Sequence, residues 1–208
     1  MSGTDDRPVR IVAPLDEPTV RRLRAGARVL ISGEVIGARD QAHVRMIEAL
    51  EKGERLPFDP AGAVIYYVGP TPPGGPPGAA RAVGAAGPTT SSRMDSLTAP
   101  LLAAGVRATM GKGPRSREVV EAMHRHGAVY LAATGGAGAL LGARIERAEV
   151  IAYEDLGCEA LRRLLVRDFP ALVAIDAEGR DLFEEGPAAS RRADGRLADG
   201  QPADPGPE

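Results

Sequence analysis

Residues 87–95 read Gly87-Pro88-Thr89-Thr90-Ser91-Ser92-Arg93-Met94-Asp95, a Gly-Pro turn followed by consecutive hydroxyl side chains and one guanidinium, directly ahead of a helix-like run. Residues of these types in this order suit a small anion. Ser and Thr side chains cap a helix start, and the first-turn N–H groups left unpaired point at whatever sits there. Arg93 adds a planar fork that matches a carboxylate. Thr90, Ser91 and Ser92 read as capping and turn residues, with one of the three expected to touch a carboxylate.

Further cations lie in similar surroundings. Arg39, Lys112 and Arg115 all sit in or beside Gly-rich or hydroxyl-rich turns, where a side chain reaches a ligand more easily than from a packed face. Lys112 stands between Gly111 and Gly113, and flanking glycines let the backbone approach a ligand closely. Asp40, at an expected helix start, reads either as an N-cap or as a base. His43, four residues after Arg39, reads first as a hydrogen-bonded helix residue. The Gly135-Gly136-Ala137-Gly138 run lacks the Lys-Ser/Thr ending of a phosphate loop and the dinucleotide spacing, so close helix packing or backbone approach to a partner is expected of it.

The elements that must carry these side chains alternate between strand and helix. The apolar pattern predicts strands at Val29–Ile31, Ala63–Val68, Val106–Met110, Ala128–Ala133, Glu149–Tyr153, Leu164–Arg167 and Leu172–Ile175. Helices are predicted from about Gln41 to Lys52, over Met94–Ala104, and over Ser116–His126 ending at Gly127. The prolines between Gly69 and Gly78 forbid a regular element there, and Ala177-Glu178-Gly179 reads as a hairpin turn into Asp181-Leu182-Phe183. The class is α/β. One domain is expected over residues 9–186, with a disordered N-terminus at 1–8 and a disordered Gly/Pro/Ala-rich tail at 187–208.

The 208 residues suffice for one ordinary domain. A net charge of −2 argues against nucleic acid or a membrane surface as partner. With neither an apolar leader nor a long apolar run, a cytoplasmic location is expected. Cys158, the single cysteine, reads as a small packing residue or a lone thiol.

Gly87 to Asp95, with Ala38-Arg39-Asp40-Gln41-Ala42-His43 upstream and Met110-Gly111-Lys112-Gly113-Pro114-Arg115 downstream, resembles the beta subunit, or C-terminal domain, of iron–sulfur class I fumarate hydratases and the related tartrate dehydratases. Tyr66-Tyr67-Val68-Gly69-Pro70, Ala128 to Ala133, Gly135 to Leu140, Asp155-Leu156-Gly157 and Asp168-Phe169-Pro170 follow in the same order, so the likeness covers roughly residues 10–187. The resemblance implies a swivelling β/β/α domain that works against a larger partner, and a hydro-lyase reaction, the reversible hydration of fumarate to (S)-malate. It also implies that Arg39, Thr89, Arg93 and Lys112 fall at substrate-binding positions, with Thr90 and Arg115 alongside.

That chemistry requires a proton to leave a carbon beside a carboxylate, which is a very weak acid, while cations hold the dianion and its developing charge. Thr89 and Asp40 are rival candidates for the proton. A carboxylate has the better basicity near neutral pH, whereas a hydroxyl needs an activating neighbour. A 4Fe-4S cluster needs about three or four thiolates, so one cysteine implies that an alpha subunit carries it and that this chain holds no metal. Arg93-Met94-Asp95 and Arg115-Ser116 favour fumarate over tartrate as substrate. Tartrate dehydration and a non-catalytic anion-binding or assembly module are the alternatives.

Overall fold

Apolar residues fill the central strands at every position rather than at alternate ones, and a computed structural model, which describes residues 7–74 and 81–186, shows the cause. Both faces of these strands are covered. In chain order the elements are β1 (Val9–Ala13), α1 (Glu17–Arg22), β2 (Arg28–Gly37), α2 (Asp40–Glu51), β3 (Val64–Tyr66), α3 (Asp95–Ala104), β4 (Ala108–Gly111), α4 (Arg117–His126), β5 (Val129–Ala132), α5 (Gly138–Gly142), β6 (Ile145–Ala152) and β7 (Leu161–Ile175). Short 3₁₀ turns at Ser91–Met94 and Glu154–Glu159 complete the set.

β1 to β5 pair in parallel in that order, and β7 lies antiparallel to both β5 and β2. Because β7 pairs with β2 as well as β5, the run from β2 to β5 closes through it into a small barrel, with β1 lying beside β2 outside that circuit. Inward-facing Val64, Tyr66, Met110, Leu131 and Phe169 join one apolar cluster, while Ile65, Tyr67 and Tyr130 face a second, built with Met46 of α2, Leu101 and Leu102 of α3 and Met123 of α4. This is the period-two alternation of strand side chains, with each side meeting its own core.

Several predicted elements lie within a residue or two of the observed ones. α4 starts at its N-cap Ser116, whose hydroxyl accepts from the Val119 amide, and ends on Gly127 in the left-handed region. Other expectations need correction. The strands predicted at Leu164–Arg167 and Leu172–Ile175 are one long strand, β7. It exchanges its outer neighbour, β6 up to Val166 and β5 from Leu172. Pro170, facing Leu30 of β2, falls in the gap between those neighbours, where a missing N–H costs no ladder bond. After the turn at Gly179 (φ +82°), residues 182–186 turn helical instead of extending. β1 and α5 carry no strong periodic signal and arise from pairing and packing. Residues 69–74 contain no regular element. Residues 75–78 of that segment and the expected 187–208 tail lie outside the described residues, as do residues 1–6.

Candidate active site

The predicted site residues gather where the parallel strands end. β2 runs out at Gly37 just before Arg39, β4 ends at Gly111 just before Lys112, and the Thr89–Arg93 turn crosses between them. The carboxyl edge of parallel strands is where α/β sheets leave a crevice, because successive connections diverge there. Two reciprocal backbone bonds bring the turns together, Ser91 N–H to the Lys112 carbonyl at 2.9 Å and Lys112 N–H to the Thr89 carbonyl at 3.2 Å. Gly111 permits this approach, since a Cβ there would stand 2.1 Å from the Ser91 Oγ and 2.9 Å from the Tyr67 ring.

Asp40 does not act as the N-cap. That position belongs to Arg39, and the Glu159 carboxylate takes over the role by accepting from the Gln41 amide at 3.0 Å. Asp40 instead bridges two guanidiniums: its Oδ2 accepts from Arg39 Nε at 3.0 Å and its Oδ1 lies 2.8 Å from Arg93 Nε. Glu159 also reaches Arg39, at 3.4 Å. Arg93 makes no ion pair other than that with Asp40 among the described residues. The Arg39 stem packs over Gly69, where a Cβ would lie 3.1 Å from Arg39 Cδ.

Thr89 is buried and both its backbone groups are bonded, its amide to the Tyr67 carbonyl at 2.8 Å. Its hydroxyl makes no hydrogen bond among the described residues. Thr90 is exposed and flanks Lys112 in a parallel bridge. Lys112 is exposed, makes no ion pair among the described residues, and runs along Gly135, whose missing Cβ would sit 3.6 Å from Lys112 Cδ. Within the glycine run, Gly138 packs closely, its carbonyl accepting from the Ala86 amide and its Cα lying against the Gly87 backbone, whereas a Cβ at Gly136 would meet nothing within 4 Å.

Arg115 stands apart from the other cations. Its side chain is 0% exposed and pairs with Asp95 beneath the turns, so its guanidinium does not reach the crevice in this arrangement. Burial opposes its charge, but the surrounding Tyr67 and Asp95 more than offset this and raise its pKa. The backbone turn after Gly113 (φ +81°) sends the chain inward here.

His43 is fully buried, edge-on to Tyr67, with Nδ1 3.2 Å from the Arg39 carbonyl. A carbonyl can only accept, so Nδ1 carries the proton and Nε2 is left without a partner. Burial pulls its pKa down to about 4, which keeps the ring neutral near neutral pH. Sequence reasoning missed Glu159, Asp95, Tyr67 and Tyr130. Asp95 was visible as the end of the hydroxyl-rich motif, but Glu159 reaches the site from a turn far along the chain with no local signal. Among the described residues no group of three or more His, Cys, Asp or Glu could hold a metal ion, and Cys158 is exposed and unpaired.

A barrel that gathers Arg39, Arg93 and Lys112 around hydroxyl-bearing turns at one edge defines an α/β domain with a candidate anion site. Sequence comparison makes the class specific: residues 2–186 match the family model described as Fumarase C-terminus, and the chain belongs to that family. It is 38% identical over 185 residues to "Fumarate hydratase class I, anaerobic" of Escherichia coli, covering 86% of this chain and 32% of that protein. To "Fumarate hydratase class I, aerobic" of Salmonella typhimurium it is 40% identical over 162 residues, 76% of this chain and 27% of that protein. Against "Putative L(+)-tartrate dehydratase subunit beta" of Methanocaldococcus jannaschii it is 35% identical over 181 residues, 82% of this chain and 89% of that protein. The chain therefore spans about a third of the length of the curated fumarate hydratases it matches.

Proposed function

We propose that this chain is the beta subunit of a class I fumarate hydratase, supplying the substrate-binding side of the site for reversible hydration of fumarate to (S)-malate. The observation that carries this reading is the convergence of Arg39, Thr89, Arg93 and Lys112 on one edge of the barrel, within a chain of the Fumarase C-terminus family. The free N–H groups of Arg93 and the Lys112 ammonium bind the two carboxylates of the dianion, Thr90 lies beside them, and Arg39 completes the cation set. Charge that builds on a carboxylate as the carbon-bound proton leaves is stabilised by these preorganised cations. Thr89 is the better candidate for that proton, because both Asp40 oxygens are engaged by guanidiniums. Asp40 then serves to hold Arg39 and Arg93 together.

A cubane cluster needs about three or four thiolates, and the lone, exposed Cys158 does not fit it. The 4Fe-4S cluster belongs to an alpha subunit with which this chain pairs in the cytoplasm. Residues 9–186 form the catalytic domain, of the swivelling β/β/α type. No helix among the described residues is long and apolar enough to cross a membrane. The runner-up substrate is tartrate, favoured by the near full-length match to an archaeal protein named as a subunit beta.

The isolated chain is expected to be free of iron and inactive, and mixing it anaerobically with its cluster-bearing alpha subunit should restore fumarate hydration. Iron and sulfide bound stoichiometrically to the chain alone would refute the division of labour. Faster dehydration of tartrate than of malate by the mixture would favour the second substrate.

A further inference from the structure

The turns that carry Thr89, Arg93 and Lys112 rest on a buried polar seam centred on Arg115. Its Nε donates to Asp95 Oδ1 at 2.7 Å, and the other oxygen of Asp95 accepts from the Ser116 amide at 2.8 Å, so one carboxylate ties the end of the 91–94 turn to the loop after Lys112. Its terminal nitrogens donate to Thr109 Oγ1 at 3.0 Å and Thr98 Oγ1 at 2.7 Å. The guanidinium also lies between two rings, 5.4 Å from the centroid of Tyr67 and 5.2 Å from that of Tyr130. Tyr130 extends the seam: its hydroxyl donates to the Gly113 carbonyl at 2.9 Å, and Ser91 Oγ lies 2.9 Å away. The phenol proton being spent on Gly113, the Ser91 hydroxyl is the donor in the second bond.

We propose that Arg115 is the positioning residue of the cation pocket, fixing Lys112 and Arg93 at a set separation without touching substrate. This rests on reading the pocket as a dicarboxylate site. A planar, permanently charged fork suits the role because it meets several fixed acceptors at once and keeps its charge at every working pH. Binding a dianion between two cations loses strength quickly when they are free to drift apart.

The test has two arms. In the full-length chain, Arg115→Met should speed amide hydrogen exchange at Thr89, Ser91, Lys112 and Ser116 by about tenfold or more relative to the β2 amides. Tyr130→Phe, which keeps the ring and removes only the hydroxyl, should do so at Ser91 and Lys112 to a smaller extent and preserves the fold if the first variant does not. In the enzyme assembled with its alpha subunit, Arg115→Met should raise KM for fumarate by roughly tenfold with a smaller change in kcat, and should add at most about twofold when Lys112→Ala is already present, since it acts through that lysine. Exchange that rises uniformly over the chain, no rise at these amides in either variant, or fully additive kinetic losses would each overturn the proposal. Absence of hydratase turnover in the wild-type assembly would instead remove the functional reading and leave the exchange arm to decide the positioning role.

Discussion

Arg93 and Arg115 carry the same guanidinium and end in opposite surroundings. The Arg93 side chain is 50% exposed and pairs with Asp40 alone among the described residues, whereas that of Arg115 is 0% exposed and all three of its nitrogens donate to neighbours. A cation on the rim can exchange its partner for a ligand, because water and other groups compete for it throughout. A cation in the floor cannot, since breaking a buried pair leaves an uncompensated charge at a cost of about 3–5 kcal/mol. On the proposed reading the rim serves binding and the floor rigidity, although both draw on the same residue types.

The sharpest way to test this division is at the two rival proton carriers. Thr89→Val is expected to lower kcat by about 10³-fold or more in the assembled enzyme, within the range of a lost acid–base group, while Asp40→Asn, which keeps the shape but weakens the hold on Arg39 and Arg93, costs roughly tenfold. Anaerobic fumarate hydration measures both. The reverse ranking would move Asp40 from the framework of the rim into the chemistry. Next in size, Arg93→Ala and Lys112→Ala each remove a charged contact to the dianion and should lower kcat/KM by roughly 10²-fold with unchanged thermal stability. Near-normal kinetics in both would show that the open edge is not the substrate pocket.

Below the rim, effects should register in stability. His43 titrates at about 4 because burial opposes its charge, against an ordinary value near 6.5, so the unfolded chain takes up a proton that the folded one refuses. Its contribution is fully present above about pH 6.5 and declines as pH falls through 4, by up to about 3 kcal/mol. Asp40, which favours the charged ring, and Arg115, which opposes it, are the charges acting on it. Denaturant unfolding between pH 7 and 4 should fall less steeply for His43→Gln than for the wild type. Equal slopes would assign the acid limb to other groups. Smallest, Gly111→Ala forces a Cβ against the Ser91 Oγ and the Tyr67 ring and should destabilise by about 1–3 kcal/mol. An unchanged melting temperature would mean that the two turns are less tightly joined than their hydrogen bonds indicate.

How far sequence reasoning reached follows the range of the interactions concerned. α4 was legible from end to end because its cap, apolar face and terminal glycine lie within a dozen positions of one another. The hydroxyl-rich turn and the Lys112 turn were legible as turns because glycine and hydroxyl residues mark local backbone geometry. Neither Asp40 nor Arg115 could be assigned from its neighbours in the chain: Asp40 lost the capping role to Glu159, and Arg115 turned toward Asp95, Thr98 and Thr109 instead of the crevice. The splitting of β7 into two predicted strands has a similar origin, since Pro170 interrupts a strand only where a neighbour needs its N–H.

By itself the sequence determined the α/β alternation, the anion-suited turns, the family resemblance and the shortage of thiolates for a cluster. These depend on residue type and short spacing, which local propensity and counting can read. Only the tertiary structure decided that the sheet closes through β7, which cations face outward and which are buried, and that Asp40 bridges Arg39 and Arg93. Each of these is set by contacts between segments far apart in the chain, where burial and the partners available fix the direction of a side chain whatever its immediate sequence.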